Sequence, residues 1–266
     1  MSLLKNTPGL LEALRGEMTP KFLTTRSLEG VPNVVPCVSL LPSDDQTDVL
    51  FFGNFLLRKS IKNLKADPRV GILVITTELN GWALKGDFLE FQSTGPYVDR
   101  QMNSNLLRYN AYTGIRNAGL VRVTSVENEF TISRIQVVND YARAKISAGR
   151  AANGDDGSVQ IPLPVQKEFA RMIAVKVLAW IDEDEMPMVI PLLSLQPAGE
   201  TNMVAWFGND NLPIPPVGAQ VAANILTFEA ISYQTKGRWN MQGKSGVMAV
   251  QEIYAGGPPY PGGKVA

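Results

Sequence analysis

The chain has 266 residues, 45% of them hydrophobic and 19% charged, with 25 Lys and Arg against 25 Asp and Glu. That balance suits one large or two modest globular domains and supplies no net field to draw in a nucleic-acid backbone or an anionic membrane. There is no His and Cys37 is the single Cys, which excludes the usual triad base, a haem axial His, intrachain disulfides and Cys-rich zinc sites, so any redox chemistry falls to an organic cofactor.

The N-terminal residues lack the basic-then-apolar layout of a secretory leader and no apolar run is long enough to span a bilayer, which predicts a cytoplasmic protein. Thr7-Pro8 offers an N-cap and an N1 proline to a short helix carrying Leu10, Leu11 and Leu14. Residues 21–25, 33–41 and 48–53 are rich in Val, Leu and Phe and are broken by Glu29-Gly30 and Pro42-Ser43-Asp44-Asp45, the pattern of an antiparallel meander. A helix is predicted over 58–66, apolar at Ile61 and Leu64 and stopped by Asp67-Pro68. Strands follow at 70–76, 81–93 and 120–126, with a longer helix at 97–110 between the last two. A helix over 138–147, a linker at 149–158 and an irregular Gly- and Pro-rich tail complete the reading.

The chain also repeats itself. Residues 21–54 align without a gap on residues 176–209, every partner 155 positions on, and from Val31 against Met186 ten of 24 positions are identical. The identities include Pro36/Pro191, Ser39/Ser194 and Gly53/Gly208. Near the end of each copy, Gly81-Trp82-Ala83-Leu84-Lys85-Gly86 faces Ser232-Tyr233-Gln234-Thr235-Lys236-Gly237 at an offset of 151. Five or six short strands per copy predict a mainly β chain of two similar small barrels in tandem, divided as 1–138, a linker at 139–160, and 161–266.

One segment combines a strand end, a turn and a helix start: Phe52-Gly53-Asn54, then Arg58-Lys59-Ser60. A helix N-terminus presents unpaired N–H groups and partial positive charge, while Arg58, Lys59 and Ser60 add a planar fork of donors, a point charge and a hydroxyl. Phosphate is the ligand such a set suits, although two basic residues at a helix start are also common on a solvated surface. The matching stretch of the second copy, Leu212-Pro213-Ile214-Pro215-Pro216, has no positive charge and three residues without an N–H.

With these motifs in order, the chain resembles the pyridoxamine 5′-phosphate oxidase-like, FMN-binding split barrel family over about residues 10–135, and more weakly over the second copy. The resemblance implies one FMN, its phosphate held by Arg58, Lys59 and Ser60. It further implies that Val35, Pro36, Cys37 and Val38 lie along the flavin, that Phe52, Gly53 and Asn54 lie beside the ribityl chain, and that Trp82 stands near a further contact where the oxidase has a Gln. It also implies two tandem split β-barrels forming a pseudo-dimer, with the cofactor at the boundary between them and the second copy as a covalent stand-in for the partner subunit. Arg238 and Trp239 are then second-copy candidates near the flavin, though a surface Arg and a half-buried aromatic are the commoner reading of such a pair.

The tail GGPPYPGGKVA lacks the Arg- and Trp-rich closing segment of the oxidases, so that activity is not expected. The resemblance implies an FMN-dependent oxidoreductase or flavin reductase acting on a small molecule, with NAD(P)H as a candidate electron donor. A non-catalytic flavin carrier, or a barrel that holds a deazaflavin or no flavin, stays open, as does pairing of two chains. The acidic run Asp182-Glu183-Asp184-Glu185 reads as a solvated hairpin tip rather than a metal site, and Cys37 as a buried small side chain.

Overall fold

The computed structural model describes residues 2–55, 57–104, 115–152, 158–209, 211–256 and 262–266. Two short helices, α1 (Leu3–Asn6) and α2 (Leu10–Arg15), lead into β1 (Lys21–Arg26), β2 (Pro32–Pro36), β3 (Leu41–Pro42) and β4 (Val49–Gly53). Then come α3 (Arg58–Ala66), β5 (Arg69–Ile75), β6 (Asn80–Gln92), α4 (Pro96–Met102) and β7 (Ala118–Thr131). Helices α5 (Arg134–Ala151) and α6 (Leu163–Phe169) precede the second set, β8 (Val175–Ile181), β9 (Pro187–Pro191), β10 (Gln196–Ala198) and β11 (Asn202–Trp206). Strands β12 (Gln220–Leu226), β13 (Ser232–Gln242) and β14 (Ser245–Ala255) complete it. Among the described residues no helix is long and apolar enough to cross a membrane.

The two halves have the same architecture. The first seven-stranded antiparallel sheet runs β2-β1-β5-β6-β7-β4-β3 and the second β9-β8-β12-β13-β14-β11-β10, the same order with every strand advanced by seven. Consecutive strands β2 and β3 lie at opposite edges of their sheet yet are joined only by the turn at 37–40, closed by Leu40 N–H donating to Cys37 O at 3.0 Å. A connection that short brings the edges together, so the sheet curls into a barrel that stays split there. The same turn recurs between β9 and β10, with Leu195 N–H donating to Leu192 O at 3.0 Å. The apolar run 33–41, expected as one strand, is thus two strands and a turn.

The shorter match between the copies has a structural cause as well. Both long ladders slip register at one Lys-Gly step, Lys85/Gly86 and Lys236/Gly237. A Cβ on Gly86 would sit 3.2 Å from the Arg122 carbonyl carbon, and one on Gly237 2.8 Å from that of Ala249, nearer still to the two oxygens. The bulge needs glycine for this close approach.

Strand alternation divides the first half's apolar residues between two cores. Leu23, Ile72, Leu84 and Val121 fill the first barrel with Leu10 and Leu14 of α2, while Phe22, Val34, Leu73 and Ala83 join the second half's core. The halves therefore share one apolar interface, where β5 packs on β9 and β12 on β2. Polar clasps flank it. The Arg26 side chain, 10% exposed, pairs with Asp67 at 3.2 Å and donates to Glu185 O at 2.8 Å, and Lys85 pairs with Asp182 at 2.6 Å. The acidic turn is exposed at Glu183, Asp184 and Glu185, as a solvated tip should be, yet through Asp182 and Glu185 it also takes part in the contact between halves.

Two helical expectations change. The helix begun at Pro96 ends at Met102, and the rest of the predicted span, 105–110, lies outside the described residues. Helix α5 is longer than 138–147 and packs on β10 and β11, its Ala144 and Ala151 fully buried there. The first part of the predicted linker, to Ala151, belongs to α5, and its residues 153–157, like 257–261 of the predicted tail, lie outside the described residues.

Candidate functional site

Helix α3 starts without a side-chain cap: Leu57 occupies the N-cap position and its side chain supplies no hydrogen bond. Its first N–H groups thus keep their donor capacity. The helix is fixed from behind by buried Leu64 and by Asn63 Nδ2, which donates to Thr25 Oγ1 on β1 at 3.1 Å. Along its first turn Arg58 is exposed, Lys59 half-buried and Ser60 buried, and the Ser60 hydroxyl accepts from Asn33 Nδ2 at 3.1 Å. The hydroxyl proton remains available to a ligand.

These three residues line a cleft of about 550 Å³ that opens between the two halves. The first half contributes Asn33, Val35 and Pro36 from β2, Cys37, Val38 and Ser39 from the turn, and Gly53 from the end of β4. The turn is held from three sides. Lys21 Nζ donates to Val38 O at 3.3 Å and Gly16 O at 2.9 Å, Ser39 Oγ accepts from Gly53 N–H at 3.3 Å, and Gln101 Nε2 donates to Ser39 O at 2.7 Å. In the second half Ser194 likewise ties its turn to the neighbouring strand, there through both backbone groups of Trp206, the counterpart of Phe51. Burial pushes the Cys37 thiol up to about 12, so it contributes shape rather than a thiolate.

The facing wall belongs to the second half: Asn224 and Leu226 of β12, Thr227 and Phe228 of the turn that follows, Ser232 and Gln234 of β13, and Tyr254 of β14. Asn224 Nδ2, at 3.4 Å, and Gln234 Nε2 both donate to Val34 O, tying this wall to β2. Lys59 reaches across the cleft, its ammonium 3.0 Å from the centre of the Tyr254 ring. Burial lowers the Lys59 pKa, and Glu252 partly restores it. Burial together with the hydrogen bond to Glu252 Oε2, 2.7 Å away, raises that of Tyr254.

Of the residues singled out in sequence, Arg58, Lys59, Ser60, Val35, Pro36, Cys37, Val38 and Gly53 come together on this cleft. Phe52, Asn54 and Trp82 do not. Adjacent strand residues point to opposite faces. Gly53 faces the cleft, so Phe52 faces the barrel interior, edge-on to Phe91 at 6.4 Å between ring centres. Asn54 is buried, its backbone tied to Asn117 and Arg116. Trp82 lies inside the first barrel against Gly9, while its neighbour Ala83 takes the outward position. Arg238 and Trp239 are also elsewhere. They border a separate hollow with Ala151 and Val247, Arg238 exposed and Trp239 fully buried edge-on to Phe207.

In the second half the equivalent of α3 is missing, since residues 211–216 form no helix. Gly208, the counterpart of Gly53, has the Asp140 carboxylate of α5 against it. An anion would meet a negative charge there and no helix start.

No family model matches the chain. An uncharacterised protein of Methanocaldococcus jannaschii is 23% identical over 133 residues, which are 48% of this chain and 83% of that one. The chain is similar to an FMN-binding protein from Syntrophomonas wolfei, at 16% identity and a TM-score of 0.40 over 50% of this chain and 88% of that one. It is also similar to the haem storage protein HutZ from Vibrio cholerae, at 15% identity and a TM-score of 0.36 over 49% of this chain and 95% of that one.

Proposed function

We propose that the cleft binds one FMN per chain, its phosphate at the start of α3 and its ring along β2 and the turn at 37–40. The observation that supports this most is the asymmetry of the halves. An uncapped helix start with Arg58, Lys59 and Ser60 lines the cleft in the first, and the corresponding stretch of the second has neither helix nor base. The donor set suits a dianionic phosphate, and the apolar lip of Phe55, Leu57 and Phe228 suits a flat ring. On this reading residues 1–138 carry the cofactor, 139–160 join the halves and 161–266 complete the wall.

A bound flavin supplies reversible hydride and electron uptake. The chain's own residues bind it, orient it and keep water from one side. Neither Cys37 nor Tyr254, both with raised pKa values, offers a base at neutral pH, so the side chains described act by position and charge. The fuller reading is an FMN-dependent oxidoreductase or flavin reductase acting on a small molecule, with NAD(P)H as electron donor.

The test is the absorbance spectrum of the purified protein and the FMN released per folded chain, expected near one. A value near two, or failure to bind added FMN, refutes the reading. Replacing Arg58 or Lys59 with Ala is expected to weaken FMN by about 1.5–3 kcal/mol each, the worth of a hydrogen bond to a charged group, in a fluorescence titration. Mixing the loaded protein with NAD(P)H separates reductase from carrier, because a carrier is not reduced directly.

A further inference from the structure

Two lysines occupy the same place in the two halves, each just before the glycine of the ladder bulge, and they live in opposite surroundings. Lys85 is neutralised three times over, by Asp182 at 2.6 Å, Glu127 at 3.6 Å and Asp184 at 4.0 Å. Lys236 is as buried, 7% exposed, and among the described residues its ammonium has no hydrogen bond and no ion pair within 4.0 Å. The substitutions responsible can be read off. Where the turn before β9 brings Asp182 to Lys85, the first half's matching turn has Ser27. Glu127 stands two residues beyond the partner of Lys85 in its ladder, and Tyr254 stands two beyond the partner of Lys236.

What surrounds Lys236 is a second ammonium. Lys59 and Lys236 stand 3.0 and 5.9 Å from the centre of the same Tyr254 ring. Burial, and then Lys59, push the Lys236 ammonium down to about 8. Glu252 is the carboxylate within reach, directly across the ladder, but it accepts from Tyr254 Oη at 2.7 Å and stands 4.0 Å from Lys264. Three ammonium groups thus share one carboxylate. Lys236 is buried, Lys59 half-buried and Lys264 exposed, and holding the buried charge beside a second ammonium carries a cost that a bound anion removes. Lys236 also has the right direction, since Ser232, Gln234 and Lys236 alternate along β13 and the first two line the cleft.

We infer that Lys236 is a phosphate-binding residue supplied by the second half, which closes the site begun by Arg58, Lys59 and Ser60 from the opposite wall. The inference deepens the FMN reading and rests on it for the identity of the ligand, while the anion site itself rests on the lysine cluster. It makes the second half a donor of charge to the first half's site as well as a wall.

The test uses the full chain and three probes: inorganic phosphate, FMN and riboflavin, which lacks the phosphate. In wild type, millimolar inorganic phosphate is expected to raise the melting temperature. Lys236→Met is expected to melt higher than wild type without ligand, because an unpaired buried charge is gone, and to lose the phosphate-dependent rise. Its FMN affinity should fall at least tenfold with riboflavin affinity unchanged, while Lys236→Arg stays within about threefold of wild type for FMN. Lys85→Met, which leaves acids unpaired, should melt lower instead. If wild type responds to phosphate and Lys236→Met removes the response but neither binds FMN, the FMN reading fails and the anion site stands. The inference is overturned if Lys236→Met keeps the phosphate response, loses FMN and riboflavin equally, or melts lower than wild type in the absence of ligand.

Discussion

Gly71 gives the strictest test of how the halves are joined. It lies on β5 facing β9, and a Cβ built there would stand 2.9 Å from the carbonyl carbon of Pro187 and nearer still to its oxygen. Carbon pairs pack at about 3.5–4.0 Å, so Gly71→Ala requires β5 and β9 to part by roughly 1 Å, and the obstacle is backbone rather than a side chain that can swing away. Parting strains Phe22, Val34 and Leu73, which pack into the second half's core, and the bonds from Asn224 and Gln234 to Val34 O. Overpacking of this kind costs about 1–3 kcal/mol, against about 0.4–1 kcal/mol that alanine returns by restricting the unfolded chain. The expected net loss is about 1–2 kcal/mol in urea unfolding, with FMN affinity falling too because its cleft is built from both walls. The matching residue of the second half is already alanine, Ala222, so only one of the two crossings is this tight. An unchanged or higher urea midpoint for Gly71→Ala refutes the close approach of β5 to β9.

Burial lowers the Lys176 ammonium to about 7 from an unfolded value of 10.5. Between those values the unfolded chain holds a proton that the folded chain has shed, so stability rises with pH, and the full penalty applies below the window. Lys176→Met should therefore stabilise the protein at pH 6 by on the order of 3 kcal/mol, with the gain vanishing above about pH 10.5, as urea midpoints across pH will show. Asp67 behaves oppositely. Arg69, and then Arg26, hold its pKa below the ordinary 3.8, so its contribution is present above that pH and is lost as acid titrates the folded carboxylate. Asp67→Asn is expected to cost about 1.5–3 kcal/mol at pH 7, because Arg26 loses its nearer carboxylate and keeps Glu185 at 3.7 Å, and to flatten the acid limb of the stability curve.

Much of this was legible because each copy is a check on the other. The identities at constant offset fall where backbone geometry demands them: Pro36 and Pro191 end β2 and β9, and Ser39 and Ser194 tie the edge turn to the neighbouring strand. The turn itself was not legible, since Val34 to Leu41 is apolar but for Ser39 and the break is visible only as a crossing between sheet edges. Phe52 and Trp82 were misplaced for a different reason. Position along a strand was read correctly, but which face a residue takes depends on register, and β6 slips register three times. The facing wall lies about 190–200 positions away in sequence, as the bonds to Val34 O from Asn224 and Gln234 show, so no local pattern could point to it. One local signal was there to be read. Ser232, Gln234 and Lys236 place polar groups at every second position of a buried strand, which a barrel interior does not tolerate.

Two barrels on one chain also change how the cleft responds to dilution. A site shared by separate subunits empties of structure as concentration falls below their dissociation constant. Here the facing walls are held at a fixed effective concentration by the backbone between them. The cleft thus persists at any protein concentration, its two walls are always made in equal number, and a change in one wall is never copied into the other.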